Sequence, residues 1–188
     1  MDAVFLHETE AAVVVFDLRG YSRLSANLAP LEIGLALGRY YRHVESCVDA
    51  WGGRLVKLVG DAVLAAWLAN ETAWPRQAAI AAVAESQKRR PAWLAKNAKD
   101  GLPVLDYTAA MAAGPVLAGQ LGTDRFKHFD VLGDPVNVAF KLTSVASARE
   151  VDHLLSTTVQ DYPAIETEGV ELGGKQLRLF RLKDATGS

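Results

Sequence analysis

Apolar and polar positions along the chain change period several times, and each change marks an element. The run AAVVVFD (11–17) is short and β-branched, lies between a polar start and the turn-like Arg19-Gly20, and reads as a buried strand. Over 30–50, Ile33, Leu37, Tyr40, Val44, Cys47 and Trp51 recur at steps of three or four, the spacing of one apolar helix face. Gly52-Gly53 stops that helix. In GRLVKLVGDAVLAAW two apolar runs flank Gly60-Asp61, which predicts a β-hairpin. Pro75 opens an Ala-rich helix over 75–90, a position that suits proline. The segment 88–103 is polar and punctuated by Pro91, and is expected to be a loop. Strands are expected at 104–112, 115–121, 151–155 and 176–182, and a helix at 134–147.

Hairpins mixed with helices in this order predict an α+β fold with a largely antiparallel sheet, not a doubly wound parallel one. The chain shows no internal repeat and no low-complexity linker, so one domain over 1–188 is expected, with its core at about 11–182. Half of the 188 residues are apolar, enough for a core without metal or disulfide staples. The single cysteine, Cys47, excludes an intrachain disulfide and fits a reducing, cytoplasmic setting; its place on the apolar helix face makes it a core residue. A net charge of −2 gives no field that would draw the chain onto nucleic acid or an acidic membrane. No segment has the ~20 apolar residues of a membrane helix, and MDAVFLHETE lacks the basic start of a signal peptide. The histidines at 7, 43, 128 and 153 are scattered without ligand-like spacing, so no zinc site is expected. The four tryptophans suit either a core or a dimer interface.

Several polar residues stand in apolar surroundings. Asp17 ends a buried strand, where a carboxylate needs a compensating cation or donors, and Gly20 lets backbone N–H groups approach a phosphate. An aspartate at that place also caps turns. Asp61 at a hairpin tip reads equally as turn chemistry, but two carboxylates at neighbouring strand ends can share divalent ions such as Mg²⁺. Lys57, four residues before Asp61, is either a solvated lysine or the partner of a specific group. Asp130, in the apolar HFDVLG, is one candidate partner. A lysine that donates and an aspartate that accepts together match the edge of adenine. Asn137 and Lys141 share one face of the 134–147 helix, opposite Val136, Val138, Ala139 and Leu142. That face is either simply exposed or holds a sugar oxygen and a phosphate charge.

In their joint order these segments resemble the catalytic domain of class III adenylyl and guanylyl cyclases, over roughly residues 11–182. VVVFDLRGYS resembles the family's first metal-binding segment, GGRLVKLVGDAVLAAW its Gly-Lys-Gly-Asp hairpin, and GPVLAGQLGTDRFKHFDVLGDPVNVAFKL its longest signature. The resemblance implies a ferredoxin-like βαββαβ sandwich with additional strands. It implies an adenylate cyclase that makes 3′,5′-cyclic AMP and pyrophosphate from ATP with two Mg²⁺ or Mn²⁺ ions per site. It assigns Asp17, Leu18 and Asp61 to the metals, Lys57 and Asp130 to the base, and Asn137 to the ribose. Arg125, Lys175, Gly20 and Tyr21 fall to the phosphates, and Lys141 to the transition state. It also implies a head-to-tail homodimer with two shared sites and no nucleic-acid partner. Three places depart from the family pattern: Lys141 where arginine is usual, MAAG (111–114) where His-Thr-Gly is usual, and Gly173 where a further lysine is usual. Lysine keeps the charge at 141 but loses the planar fork. This leaves open a weakly active or inactive nucleotide-binding dimerisation module, or a cyclase for GTP or a pyrimidine nucleotide.

Overall fold

The structure, a computed structural model, describes residues 5–183. The reading of the MDAV start and the ends of a domain spanning 1–188 lie outside the described residues. The elements follow in the order β1 (Phe5–Leu18), α1 (Tyr21–Ser25), α2 (Pro30–Asp49), β2 (Arg54–Val59), β3 (Ala62–Leu68), α3 (Pro75–Lys99), β4 (Tyr107–Gly122), β5 (Lys127–Leu132), α4 (Asp134–Ala148), β6 (His153–Leu155), β7 (Ala164–Leu172) and β8 (Lys175–Leu182).

The eight strands form one sheet in the order β2-β3-β1-β4-β6-β8-β7, with β5 joined to the outer half of β4. Every pairing is antiparallel except β4 with β6. The chain path β1-α2-β2-β3-α3-β4, with its strands ordered β2-β3-β1-β4, is the expected ferredoxin-like unit; β5 to β8 are the additions. The α+β reading and the Gly60-Asp61 hairpin are both borne out.

Successive residues of β1 point to opposite faces. Ala12, Val14 and Phe16 face α2 and α3, packing with Tyr40, Val44, Ile80 and Val83. Val13 and Val15 face the other way, packing with Ala139 of α4 and Val131 of β5. All seven residues of β3 are buried, so it reads as one continuous apolar run. Helix α2 forms where its periodicity predicts. Pro30 takes its first turn, and the Glu32 carboxylate accepts from the Ala29 N–H at 2.9 Å. Cys47 is buried on its inner face, whereas Trp51 lies past the helix end and is 41% exposed.

Four expectations need correction. First, β1 begins at Phe5 rather than at 11, because its polar first half pairs with β4 beyond the core. Second, the loop expected over 88–103 is helix, since α3 runs on through Pro91 to Lys99. An internal proline costs a helix about 3 kcal/mol or more, and here the last turns are anchored by Trp93, which stacks on His43 of α2 and meets Tyr40 and Tyr107. Third, the strands at 104–112 and 115–121 are one strand, β4, paired without a break to β1. The outer edge of β4 pairs with β6 at 109–111 and with β5 at 117–122, so Pro115 sits in the gap between, where that edge is unpaired. Fourth, α1, β5 and β7 were not anticipated.

Candidate active site

Asp17 lies at the C-terminal end of β1, on the face that looks toward α4. Burial first, then the charge of Asp61, hold its carboxyl above the ordinary value, with the Thr143 hydroxyl of α4 opposing them. The main chain on both sides of it is fixed. The Thr108 hydroxyl donates to the Asp17 carbonyl at 3.4 Å, and the Arg19 N–H donates to the Asp106 carbonyl at 2.8 Å. The Arg19 guanidinium donates to the Val151 carbonyl at 2.6 Å and to Asp152 at 3.1 Å. Asp152 and Asp106 also hold Arg90 of α3. Gly20 follows in the left-handed region (φ 64°), and Tyr21 opens α1. The Leu18 side chain is buried in the α2–α3 core, so only its carbonyl is left to reach a ligand.

Asp61 is half-buried in the hairpin turn, next to Gly60 at φ 61°. The turn is tethered by the Tyr41 hydroxyl of α2, which donates to the Gly60 carbonyl at 2.7 Å. Tyr40 is wholly buried, and its hydroxyl has no hydrogen-bond partner among the described residues. Burial, then the neighbouring Tyr107, then both aspartates push its pKa up. Two carboxylates that repel each other suit a hard divalent cation. Mg²⁺ needs only one or two protein carboxylates when substrate phosphates complete its shell. Among the described residues no group of three or more His, Cys, Asp or Glu side chains could hold a metal, so any such ion would depend on the substrate for further ligands.

A second cluster lies where the β4–β5 hairpin curls over β2. Phe129 of β5 sits under the Arg54 guanidinium, 4.4 Å from ring centroid to Cζ. One residue on, Asp130 is 4% exposed and meets Lys57 of β2 with both oxygens, at 2.8 and 2.9 Å. Its Oδ1 also accepts from the Val131 N–H at 2.8 Å, and its Oδ2 lies 3.4 Å from His128 Nε2. Burial alone would raise the Asp130 pKa, but Lys57, the Val131 N–H and His128 together hold it below the ordinary carboxylate value. A cleft of about 510 Å³ opens beside this pair, lined by Lys57, Val59, Leu132, Gly133, Asn137 and Phe140 among others. Asn137 and Lys141 stand exposed on one face of α4, while Val136, Ala139 and Leu142 are buried on the opposite face.

The structure thus brings together Asp17 with Asp61, and Lys57 with Asp130 and Asn137, as two clusters that no hydrogen bond or ion pair joins among the described residues. Arg125 is exposed in the β4–β5 turn. Lys175 is engaged elsewhere, with Asp134 at 2.8 Å at the start of α4. Three groups at these clusters were not read from the sequence: Thr143, Tyr40 as a polar neighbour, and His128. The only signal among them was the i, i+2 spacing of His128 and Asp130 on one strand.

Residues 6–176 match the model of a family described as the adenylate and guanylate cyclase catalytic domain. An uncharacterised protein of Mycobacterium tuberculosis is 30% identical over 162 residues, which cover 86% of this chain and 29% of that protein. An adenylate cyclase of the same organism is 29% identical over 171 residues, 88% of this chain and 37% of that one. The chain therefore spans about a third of the length of the curated relatives it matches. Among solved structures it is similar to the adenylyl cyclase CyaB from P. aeruginosa, with a TM-score of 0.84, 20% identity and 97% of each chain covered. It is also similar to the guanylyl cyclase Cya2, with a TM-score of 0.81, 20% identity and 94% and 92% covered. The fold, the order of the three signature segments and a family match over nearly the whole chain agree: this chain belongs to the adenylate and guanylate cyclase catalytic domain family, the class III nucleotide cyclases.

Proposed function

We propose that the domain is an adenylate cyclase that converts ATP to 3′,5′-cyclic AMP and pyrophosphate at sites shared between two copies. The observation that carries the choice of base is the Lys57–Asp130 pair, whose lysine lines the same cleft as Asn137 and whose aspartate is buried beside it. Lys57 Nζ donates to a ring nitrogen of adenine, and Asp130 accepts from the exocyclic amino group. Asn137 holds the ribose by its amide. Lys141, one turn further along the same helix face, places its charge at the α-phosphate. Arg125 and Lys175 hold the leaving pyrophosphate, Lys175 after release from Asp134.

Asp17 and Asp61, with the Leu18 carbonyl, would hold the Mg²⁺ or Mn²⁺ ions that members of this family generally use. Such ions activate the ribose 3′-hydroxyl and neutralise phosphate charge. Positioning and charge stabilisation do most of the work in phosphoryl transfer. For that reason the fixed main chain at Arg19 and the tethered turn at Gly60 matter to rate.

Cyclase domains function as dimers, and two features support a head-to-tail homodimer here. The carboxylate cluster and the base cluster are separate within one chain. In addition Val59 of β2 and Leu132 of β5 are exposed apolar residues that line the cleft. Among the described residues no helix is long and apolar enough to cross a membrane. The free thiol of buried Cys47 supports a cytoplasmic setting.

Purified protein incubated with ATP, GTP, CTP and UTP in Mg²⁺ or Mn²⁺, with products resolved by chromatography, tests the proposal. Cyclic AMP is expected as the main product, and its absence in every condition overturns the reading. A different cyclic product transfers the assignment to that nucleotide. Lys141 favours a second reading, a nucleotide-binding dimerisation module. Nucleotide binding without turnover in both the wild type and Lys141→Arg would select it.

A further inference from the structure

On the face of the sheet opposite α4, a groove of about 330 Å³ lies between α2 and α3. It has the features of a built pocket rather than a surface dent. Asn97, near the end of α3, lines it and is 4% exposed, yet its side-chain amide has no hydrogen-bond partner among the described residues. Its polar atoms are not sealed from solvent, so the amide opens onto the groove and is available to bond an occupant. Arg42 and Lys96 stand at the groove from its two sides, and neither has a carboxylate partner among the described residues. Arg39 adds a third cation and Asp100 the one opposing carboxylate, which Arg39 already engages at 2.6 Å.

One wall is aromatic. The His43 ring stacks on the Trp93 indole, with centroids 4.7 Å apart and planes at 18°. Burial, then the charge of Arg89, press the His43 pKa down to about 4, so the ring is neutral near neutral pH. The Tyr107 hydroxyl donates to the Ser86 carbonyl at 3.1 Å, and His43 Nε2 lies 3.0 Å from that hydroxyl.

We propose that this groove binds a small organic anion, a carboxylate or a phosphate monoester on a planar apolar body. The anionic group would lie between Arg42 and Lys96, with the Asn97 amide donating to it, and the planar part against Trp93. The excess of cations disfavours an organic cation, and the cations together with the amide disfavour a purely apolar occupant.

The test uses the whole chain and small probes, followed by tryptophan fluorescence and by calorimetry. Benzoate and phenyl phosphate distinguish the two anion sources, and benzamide has the same shape without the charge. Saturable binding of at least one anion in the millimolar range or tighter is expected, with benzamide at least about tenfold weaker. Arg42→Gln and Lys96→Gln, both at exposed positions, should each weaken binding about tenfold. Lys57→Ala, on the other face of the sheet, should leave it unchanged. Equal binding of benzamide, no effect of Arg42→Gln and Lys96→Gln, no saturable binding of either anion, or loss of binding in Lys57→Ala would each overturn the assignment.

Discussion

At the scale of single residues, Asp17 and Lys141 carry the sharpest expectations. Burial and Asp61 raise the folded-state pKa of Asp17 above its unfolded value. The folded protein therefore holds that proton more tightly, and ionising Asp17 destabilises the fold. The penalty is absent below the ordinary carboxyl value of 3.8 and complete once the pH exceeds the raised folded value. Asp17→Asn should therefore raise the melting temperature near neutral pH, and the gain should fade on acidification toward the unfolded value. Equal melting curves for the two proteins at neutral pH would contradict the repulsion described for the carboxylates. Mg²⁺ with a non-hydrolysable ATP analogue should raise the wild-type melting temperature more than that of Asp17→Asn. Lys141→Arg restores a planar fork where only a point charge stands, and kcat should rise by up to about 10²–10³-fold with KM little changed. A fall in kcat would mean that the surrounding α4 face is adjusted to lysine.

At the scale of elements, the β4–β5 hairpin decides whether the base cluster exists. Gly119 lies opposite Asp130 in the ladder at φ 147°, and a Cβ there would collide with the Phe5 carbonyl of β1. Gly119→Ala should cost about 2 kcal/mol or more in chemical denaturation and weaken nucleotide binding as well. Loss of stability with intact binding would show that the hairpin is held by β5 contacts alone. Much at this scale was legible in the sequence: β1, α2, the β2–β3 hairpin and α4 all have a clear period. What was hidden had a physical cause. Pro91 and the Gly114-Pro115 pair read as breaks, but tertiary contacts carry α3 and β4 through them. The alternation in β7, AIETEGVEL, is weak, because its side chains are mostly exposed. The candidate site residues stand in the sequence as motifs in order. Thr143 and Tyr40 do not stand out there as their neighbours, because only the fold brings them near the aspartates, and His128 was signalled only by its i, i+2 spacing to Asp130.

At the scale of the whole molecule, the separation of the two clusters leads to a mixing experiment. In the proposed shared site Asp17→Ala and Asn137→Ala each remove one half, so each variant should be inactive alone. An equimolar mixture with free subunit exchange should regain about a quarter of wild-type activity, because half the dimers are mixed and each has one complete site of two. No recovery, with exchange verified by a tagged subunit, would mean that each chain completes its own site.

The mutual grip of Lys57 and Asp130 has a thermodynamic consequence. Without nucleotide, each group already has a partner, so a base gains nothing merely by offering either one a contact. It must replace both bonds at once, and any base that fits one group and not the other leaves a buried charge stranded. In the proposed base site the pair would thus act as an internal competitor against which every purine or pyrimidine is weighed. Such a site trades some affinity for its own nucleotide against steeper rejection of all the others.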